Sequence, residues 1–184
     1  MALKSLVALI MCAFMGLVSV SAKEFHLKND SHIGFRIKKM GFMNVKGHFK
    51  QFSGTLNLES PHNIKSLQGE IVIDSVFSDS KKRDKHLLEA DYFNASVNPK
   101  GIFVMTSYEI NSTEERLYRG TMRANLTLNG VEKNIAFDYS LDISDETMPK
   151  LTLESKLNIK DFGMKGSGMH SDEAMIEIET LWEE

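Results

Sequence analysis

Alternation of apolar and polar positions runs through most of this chain and is clearest from Leu117 to Ile143. Two alternating segments meet there at Asn129-Gly130, a pair suited to the positive φ angles of a type I′ turn. A two-residue loop fixes the register, setting Leu128 opposite Val131. Tyr118, Gly120, Met122, Ala124 and Leu126 then face Leu141, Tyr139, Phe137, Ile135 and Lys133 on one side of the ribbon. That side is apolar or glycine except at Lys133. The other side sets Arg119, Thr121, Arg123, Asn125 and Thr127 against Glu132, Asn134, Ala136, Asp138 and Ser140. Each arm would extend on the order of 40 Å, too long to lie flat, so the ribbon is expected to twist and curl over whatever its dry face covers. Gly120, opposite Tyr139, offers a place for the bend.

The rest of the chain repeats the pattern in shorter runs. Phe25 and Leu27 open a strand, Asp30-Ser31 turns the chain, and Ile33, Phe35 and Ile37 alternate with Gly34, Arg36 and Lys38. Val45 to Leu58 is extended, with a parity shift between Phe49 and Phe52 that predicts a bulge or bend. Ser60-Pro61-His62-Asn63 is a turn, followed by a strand through Leu67, Gly69, Ile71 and Ile73. Ser78 to Glu89 breaks the period: Ser78, Asp79 and Ser80 are N-cap candidates for one short helix beginning at Lys81. Asp91 to Pro99 is a loop anchored by Tyr92 and Phe93. Strands resume through Ile102, Val104, Thr106, Tyr108 and Ile110, then Leu151, Leu153, Leu157 and Ile159, and finally Ile176, Ile178 and Trp182, after a glycine-rich loop from Gly163 to Gly168. About eight or nine strands with hairpin-length connections predict an all-β antiparallel meander. Closure into an up-and-down barrel of about eight strands removes its edges, and such a barrel is either filled by side chains or holds one small ligand. A two-sheet sandwich is the alternative.

Met1 to Ala22 changes the picture. Lys4, an apolar core from Leu6 to Val18 and the small residues Val20-Ser21-Ala22 read as a secretory signal peptide cleaved after Ala22, leaving one domain, 23–184. The only cysteine, Cys12, lies in that leader, so the mature chain has no disulfides to draw on. The full chain carries 22 basic and 25 acidic side chains, net −3, and one unit more negative without Lys4. Without a basic stripe, nucleic acid is excluded as the partner, and no later run is long enough for a permanent membrane span.

Candidate chemistry is sparse. The mature chain has no cysteine nucleophile, no Gly-x-Ser-x-Gly elbow and no phosphate-binding glycine loop. Its histidines (26, 32, 48, 62, 86 and 170) lack metal-ligand spacing, so no metal site, cofactor or catalytic residue is assigned. Asp84 and His86, two apart, do not share a helix face. Arg83 and Asp84 read first as a structural pair, with contact to a ligand head group as the alternative. Methionines at 40, 43, 105, 122, 148, 164, 169 and 175 suit either core packing or an adaptable apolar site.

An ordered set of motifs then gives a resemblance: Val45-x-Gly47-x-Phe49-x-x-Phe52-x-Gly54, Arg83-Asp84-x-His86-Leu87, Asp91-Tyr92-Phe93, Pro99-x-x-x-Phe103, Gly120 with Leu126-Thr127-x-x-Gly130-Val131, and Asp161-Phe162-Gly163. The chain resembles the YceI family of exported bacterial proteins over nearly all of its mature length. It departs from the usual opening, carrying Asp30-Ser31 and Lys39 where many members have histidine. The resemblance implies an elongated lipocalin-like barrel in a Gram-negative periplasm, homodimeric in some members. It implies a ligand too, a polyisoprenoid or similar long-chain amphiphile such as an isoprenoid quinone or fatty amide. Phe35, Ile37, Leu56, Ile71, Ile73, Val104, Tyr108, Met122, Leu126, Phe137, Tyr139 and Leu157 would bury the tail, with Arg83, Asp84 and His86 as head-group or structural polar residues. The competing expectations are a filled barrel serving as a stress or interaction protein, and an enzyme acting on a lipid near His86.

Overall fold

A computed structural model of the chain describes residues 22–166, 168 and 170–184. The predicted signal peptide, with Cys12, lies outside the described residues except for Ala22, as does Met169. The elements are β1 (Lys23–Leu27), β2 (His32–Lys39), β3 (Met43–Phe49), β4 (Phe52–Ser60), β5 (Asn63–Val72), β6 (Val76–Phe77), α1 (Lys81–Leu87), β7 (Lys100–Glu114), β8 (Leu117–Leu128), β9 (Val131–Asp142), β10 (Lys150–Asn158) and β11 (His170–Glu183). Neighbouring strands pair in the order β1-β4-β5-β7-β8-β9-β10-β11, and β1 closes the ring by pairing with β11. The result is a closed eight-stranded antiparallel barrel with one short helix.

The central hairpin has the register its turn dictates. Asn129 and Gly130 have φ of 49° and 72°, and the pairs run from Leu128↔Val131 through Met122↔Phe137 to Tyr118↔Leu141. Gly120 sits where β7 bulges between Ile110 and Ser112, and a Cβ there would fall 1.8 Å from the Glu109 carbonyl oxygen. The bend therefore needs a residue without a side chain.

The connectivity departs from a plain meander at the start of the chain. The run from Val45 to Leu58 is two strands with different neighbours. β3 pairs with β2 and β6, and β4 pairs with β1 and β5. Between them the Lys50 and Gln51 amides both donate to Ser75 Oγ, at 3.1 and 3.0 Å, which pins the corner. β1 and β2 share one edge of β11, at Leu27↔Trp182 and Ile33↔Ile178, so β2, β3 and β6 form a leaf that continues the wall towards α1.

Two packed clusters occupy the two ends. At the end where the Lys23 ammonium meets Glu184 (2.6 Å), Phe25, Leu56, Met122, Phe137 and Leu141 are at most 1% exposed. At the α1 end, Phe49, Ile73, Phe93, Leu128, Ile159 and Phe162 form the second cluster, with Phe35, Phe49 and Phe93 in tilted and edge contacts 5.8 to 6.5 Å apart. Burial of apolar surface at about 25 cal/mol per Å² makes these clusters the main stabilising contribution in a chain whose described part has no disulfide.

Candidate functional site

Between the two clusters the barrel is hollow. A cavity of about 160 Å³ is walled by Leu27 from β1, Ile33, Phe35 and Ile37 from β2, Gly69 and Ile71 from β5, Phe103 from β7, Leu126 from β8, Leu153 and Leu157 from β10, and Ile176, Ile178 and Trp182 from β11. Many of these inward side chains are only half buried, although they stand on the dry face of the sheet. One contribution is the register of β4 and β5, which sets Gly54 directly opposite Gly69. A Cβ on Gly54 would fall 2.8 Å from the Gln68 carbonyl oxygen, whereas one on Gly69, which lines the cavity, would meet no side chain. Gly54 thus lets the two strands approach closely, and Gly69 leaves its part of the wall open. Leu87, Tyr92 and Phe93, from α1 and the loop after it, complete the wall at one end.

The lining is largely apolar, and the polar side chains of Thr180, Gln68 and Glu70 in it are already engaged. Thr180 donates to the Leu151 carbonyl (2.6 Å) and accepts from Trp182 Nε1 (2.9 Å). Gln68 donates to Thr55 Oγ1 (3.1 Å), and Glu70 accepts from Lys100 Nζ at 2.8 Å. Such a surface takes an apolar guest, since a polar one would leave its own donors unsatisfied.

Of the twelve residues predicted to bury a tail, Phe35, Ile37, Ile71, Leu126 and Leu157 line this cavity. Leu56, Met122, Phe137 and Tyr139 belong to the packed cluster at the terminal end, with Tyr108 against it, and Ile73 to the cluster at the α1 end. Val104 is corrected: it is 42% exposed on the outer surface. β7 is apolar in both parities, and its bulge between Met105 and Ser107 lets Gly101, Phe103 and Met105 point inward while Tyr108 still does so further along. Sequence reasoning left out Phe103, Ile176, Ile178 and Trp182. The alternation of β11 carried the signal for the last three.

Arg83 and Asp84 converge on Ser78, which is 3% exposed. Ser78 Oγ donates to Asp84 Oδ1 (2.5 Å), Arg83 Nε donates to Ser78 Oγ (2.9 Å), and Arg83 Nη2 to the Ser78 carbonyl (2.7 Å). The cluster ties the first turn of α1 to the end of β6. His86 is exposed, with Nδ1 2.8 Å from Glu89 Oε2 and its ring 4.8 Å from Tyr92. None of the three lines the cavity. In the terminal cluster Tyr139 is 4% exposed, and its hydroxyl has no partner among the described residues. Burial, with a smaller contribution from Tyr108, pushes its pKa up to about 12.

These features define a closed antiparallel barrel with an apolar internal cavity, the architecture of a small-molecule binding protein. Residues 26–181 match the family model of the YceI-like domain, and the chain belongs to that family. A UPF0312 protein from Photorhabdus laumondii is 32% identical over 160 residues, covering 82% of this chain and 81% of its own. Among solved structures, Burkholderia cenocepacia BcnA superposes with a TM-score of 0.72 at 18% identity, covering 82% of this chain and 95% of its own. A domain from Saccharophagus degradans described as polyisoprenoid binding superposes at 0.70 with 13% identity, covering 89% and 99%.

Proposed function

We propose that the protein is an exported, non-catalytic carrier that holds the tail of a long-chain amphiphile in the waist of its barrel. The ligand class is a polyisoprenoid, isoprenoid quinone or fatty amide. The observation that carries this reading is the ring of inward, half-accessible apolar side chains around a space of about 160 Å³. That volume is on the order of the engineered cavity that admits benzene, so it receives a branched or cyclic segment of a chain without rearrangement. A longer tail enters by displacing the side chains that ring it. Each methylene buried contributes roughly 0.8 kcal/mol of gross driving force, reduced by ordering costs. The Saccharophagus domain described as polyisoprenoid binding supports the ligand class through its shared fold. The occupied polar groups of the lining support binding over turnover. A completely filled barrel is disfavoured, because such a core would leave no inward side chain half exposed.

The N-terminal leader supports export to the periplasm as one mature domain, 23–184. Intact mass of the protein from a periplasmic fraction reads the cleavage site, and sedimentation velocity reads whether it is a homodimer.

Binding of a fluorescent fatty-acid analogue, displaced by an isoprenoid quinone, tests the site. Leu126→Trp and Gly69→Val each fill the cavity from a different wall and are expected to weaken binding at least tenfold while the barrel stays folded. Unchanged affinity in both variants would remove the cavity as the binding site.

A further inference from the structure

The β2–β3 hairpin ends in a three-residue loop, Met40-Gly41-Phe42, between the paired Lys39 and Met43. Met40 and Gly41 both have positive φ, 53° and 79°, and the turn leaves its apolar side chains in solvent. Met40 is 60% exposed, Phe42 77% and Met43 41%. Scattered exposed apolar residues are ordinary, but three within four positions at a hairpin tip make a patch.

The charge around the patch has one sign. From Ser31 to Leu58 the chain carries Arg36, Lys38, Lys39, Lys46 and Lys50 and no Asp or Glu, in a protein whose net charge is −3. Arg36 is paired with Glu177 (2.7 Å), and Lys50 lies 3.6 Å over the Phe77 ring. Lys38, Lys39 and Lys46 have no ion-pair partner among the described residues. Helix α1, whose Leu87 packs against the same cluster as Ile37 of β2, adds Lys81, Lys82 and Lys85 at this end of the barrel. His170 pairs with Lys39, and burial together with the charges of Lys39 and Arg83 lowers its pKa, which joins the hairpin and the helix in one electropositive region. The acids nearby are largely engaged: Asp84 with Ser78, Glu89 with His86, Asp91 with Lys165 and Asp172 with Lys160.

We propose that this hairpin tip docks the protein on the surface of an anionic phospholipid bilayer. Met40, Phe42 and Met43 enter the boundary of the acyl chains, and the lysines of the hairpin and α1 rest on the headgroups. Apolar insertion and electrostatic attraction are each weak alone and sufficient together. A second copy of the chain fits the tip poorly, since a symmetric contact would bring Lys38, Lys39 and Lys46 of both copies together. Docking also sets the α1 side of the cavity wall, with Ile37, Leu87 and Tyr92, towards the membrane. That last consequence, loading from the bilayer, rests on the carrier reading above, whereas docking does not.

Vesicle flotation of the processed protein, its N-terminus read by intact mass, tests the proposal. Vesicles of phosphatidylcholine alone are compared with equal parts phosphatidylcholine and phosphatidylglycerol. Binding is expected only to the anionic vesicles and is expected to fall with added salt. Lys38→Gln with Lys39→Gln should lower the partition coefficient roughly twenty-five-fold, at about fivefold for each lysine near the surface. Phe42→Asp should lower it roughly tenfold. Lys38 and Phe42 are exposed and Lys39 is half-buried at the end of its strand, so melting temperature should change little. In Phe42→Trp, the emission of the introduced indole should shift to the blue on vesicle addition and be quenched by brominated acyl chains, with Trp182 buried and unaffected. Equal binding to both vesicles, binding untouched by the tip variants, or a dimer that Phe42→Asp dissociates would overturn the proposal. Leu126→Trp should leave flotation unchanged, and flotation without any uptake of lipid into the cavity would strike the carrier reading alone.

Discussion

Leu126 and Met122 lie four residues apart on one face of β8, yet the same substitution should act differently at each. Met122 is 0% exposed in the terminal cluster, so Met122→Trp overpacks a filled core and is expected to cost about 1–3 kcal/mol in urea denaturation. Leu126 borders the cavity, and Leu126→Trp has space to enter, so its expected cost is within about 1 kcal/mol. Tyr139 gives a prediction of a different kind. With its folded pKa at about 12 and an ordinary value near 10, the unfolded chain loses the phenolic proton first as the solution becomes alkaline. Its contribution is fully present below pH ~10 and is lost between pH ~10 and ~12, by roughly 2–3 kcal/mol. Tyr139→Phe should flatten that alkaline loss. It should also add about 1 kcal/mol at neutral pH by removing a buried hydroxyl without a protein partner. Urea titrations of both proteins across this range check the sign. At this scale the sequence was only partly legible. Ile102 and Val104 look as apolar as Phe103 and Met105, and no local signal says which pair faces inward; the bulge in β7 decides it.

Among the elements, the central hairpin was the most readable, because Asn129-Gly130 determines a turn type, the turn determines a register, and the register determines a face. Helix α1 was readable for a similar reason: its cap is local, with Ser80 Oγ accepting from the Arg83 amide. The break between β3 and β4 was not, because Ser75 holds that corner from a distance of 24 to 25 residues along the chain. The role of Ser78 also needed the fold, since nothing in Ser78-Asp79-Ser80 says which serine caps the helix and which anchors Arg83 and Asp84. Ser78→Ala should remove the hydroxyl shared by Asp84 and Arg83 Nε, leaving Arg83 only the Ser78 carbonyl, and destabilise the protein by about 1–3 kcal/mol. Hydrogen exchange should show faster amides in residues 81–87, next to the Leu87 and Tyr92 wall of the cavity. An effect spread evenly over the barrel would place the cluster's role elsewhere.

As a whole, the molecule is a barrel filled at both ends and open at its waist. The glycines at 54 and 69 were visible along the chain, but their effect depends on facing each other, and only the pairing of β4 with β5 brings that about. The expectation of twelve residues around a long tail therefore resolves into five that line the cavity, six that pack its ends and Val104 on the outer surface. Purification of the protein from its own cells, followed by native mass spectrometry and organic extraction, tests the central claim most directly. The carrier account predicts a stoichiometric adduct that extracts as a long-chain or isoprenoid species and is absent from Leu126→Trp. A bare mass, still bare after incubation with isoprenoid quinones and fatty amides, would contradict it.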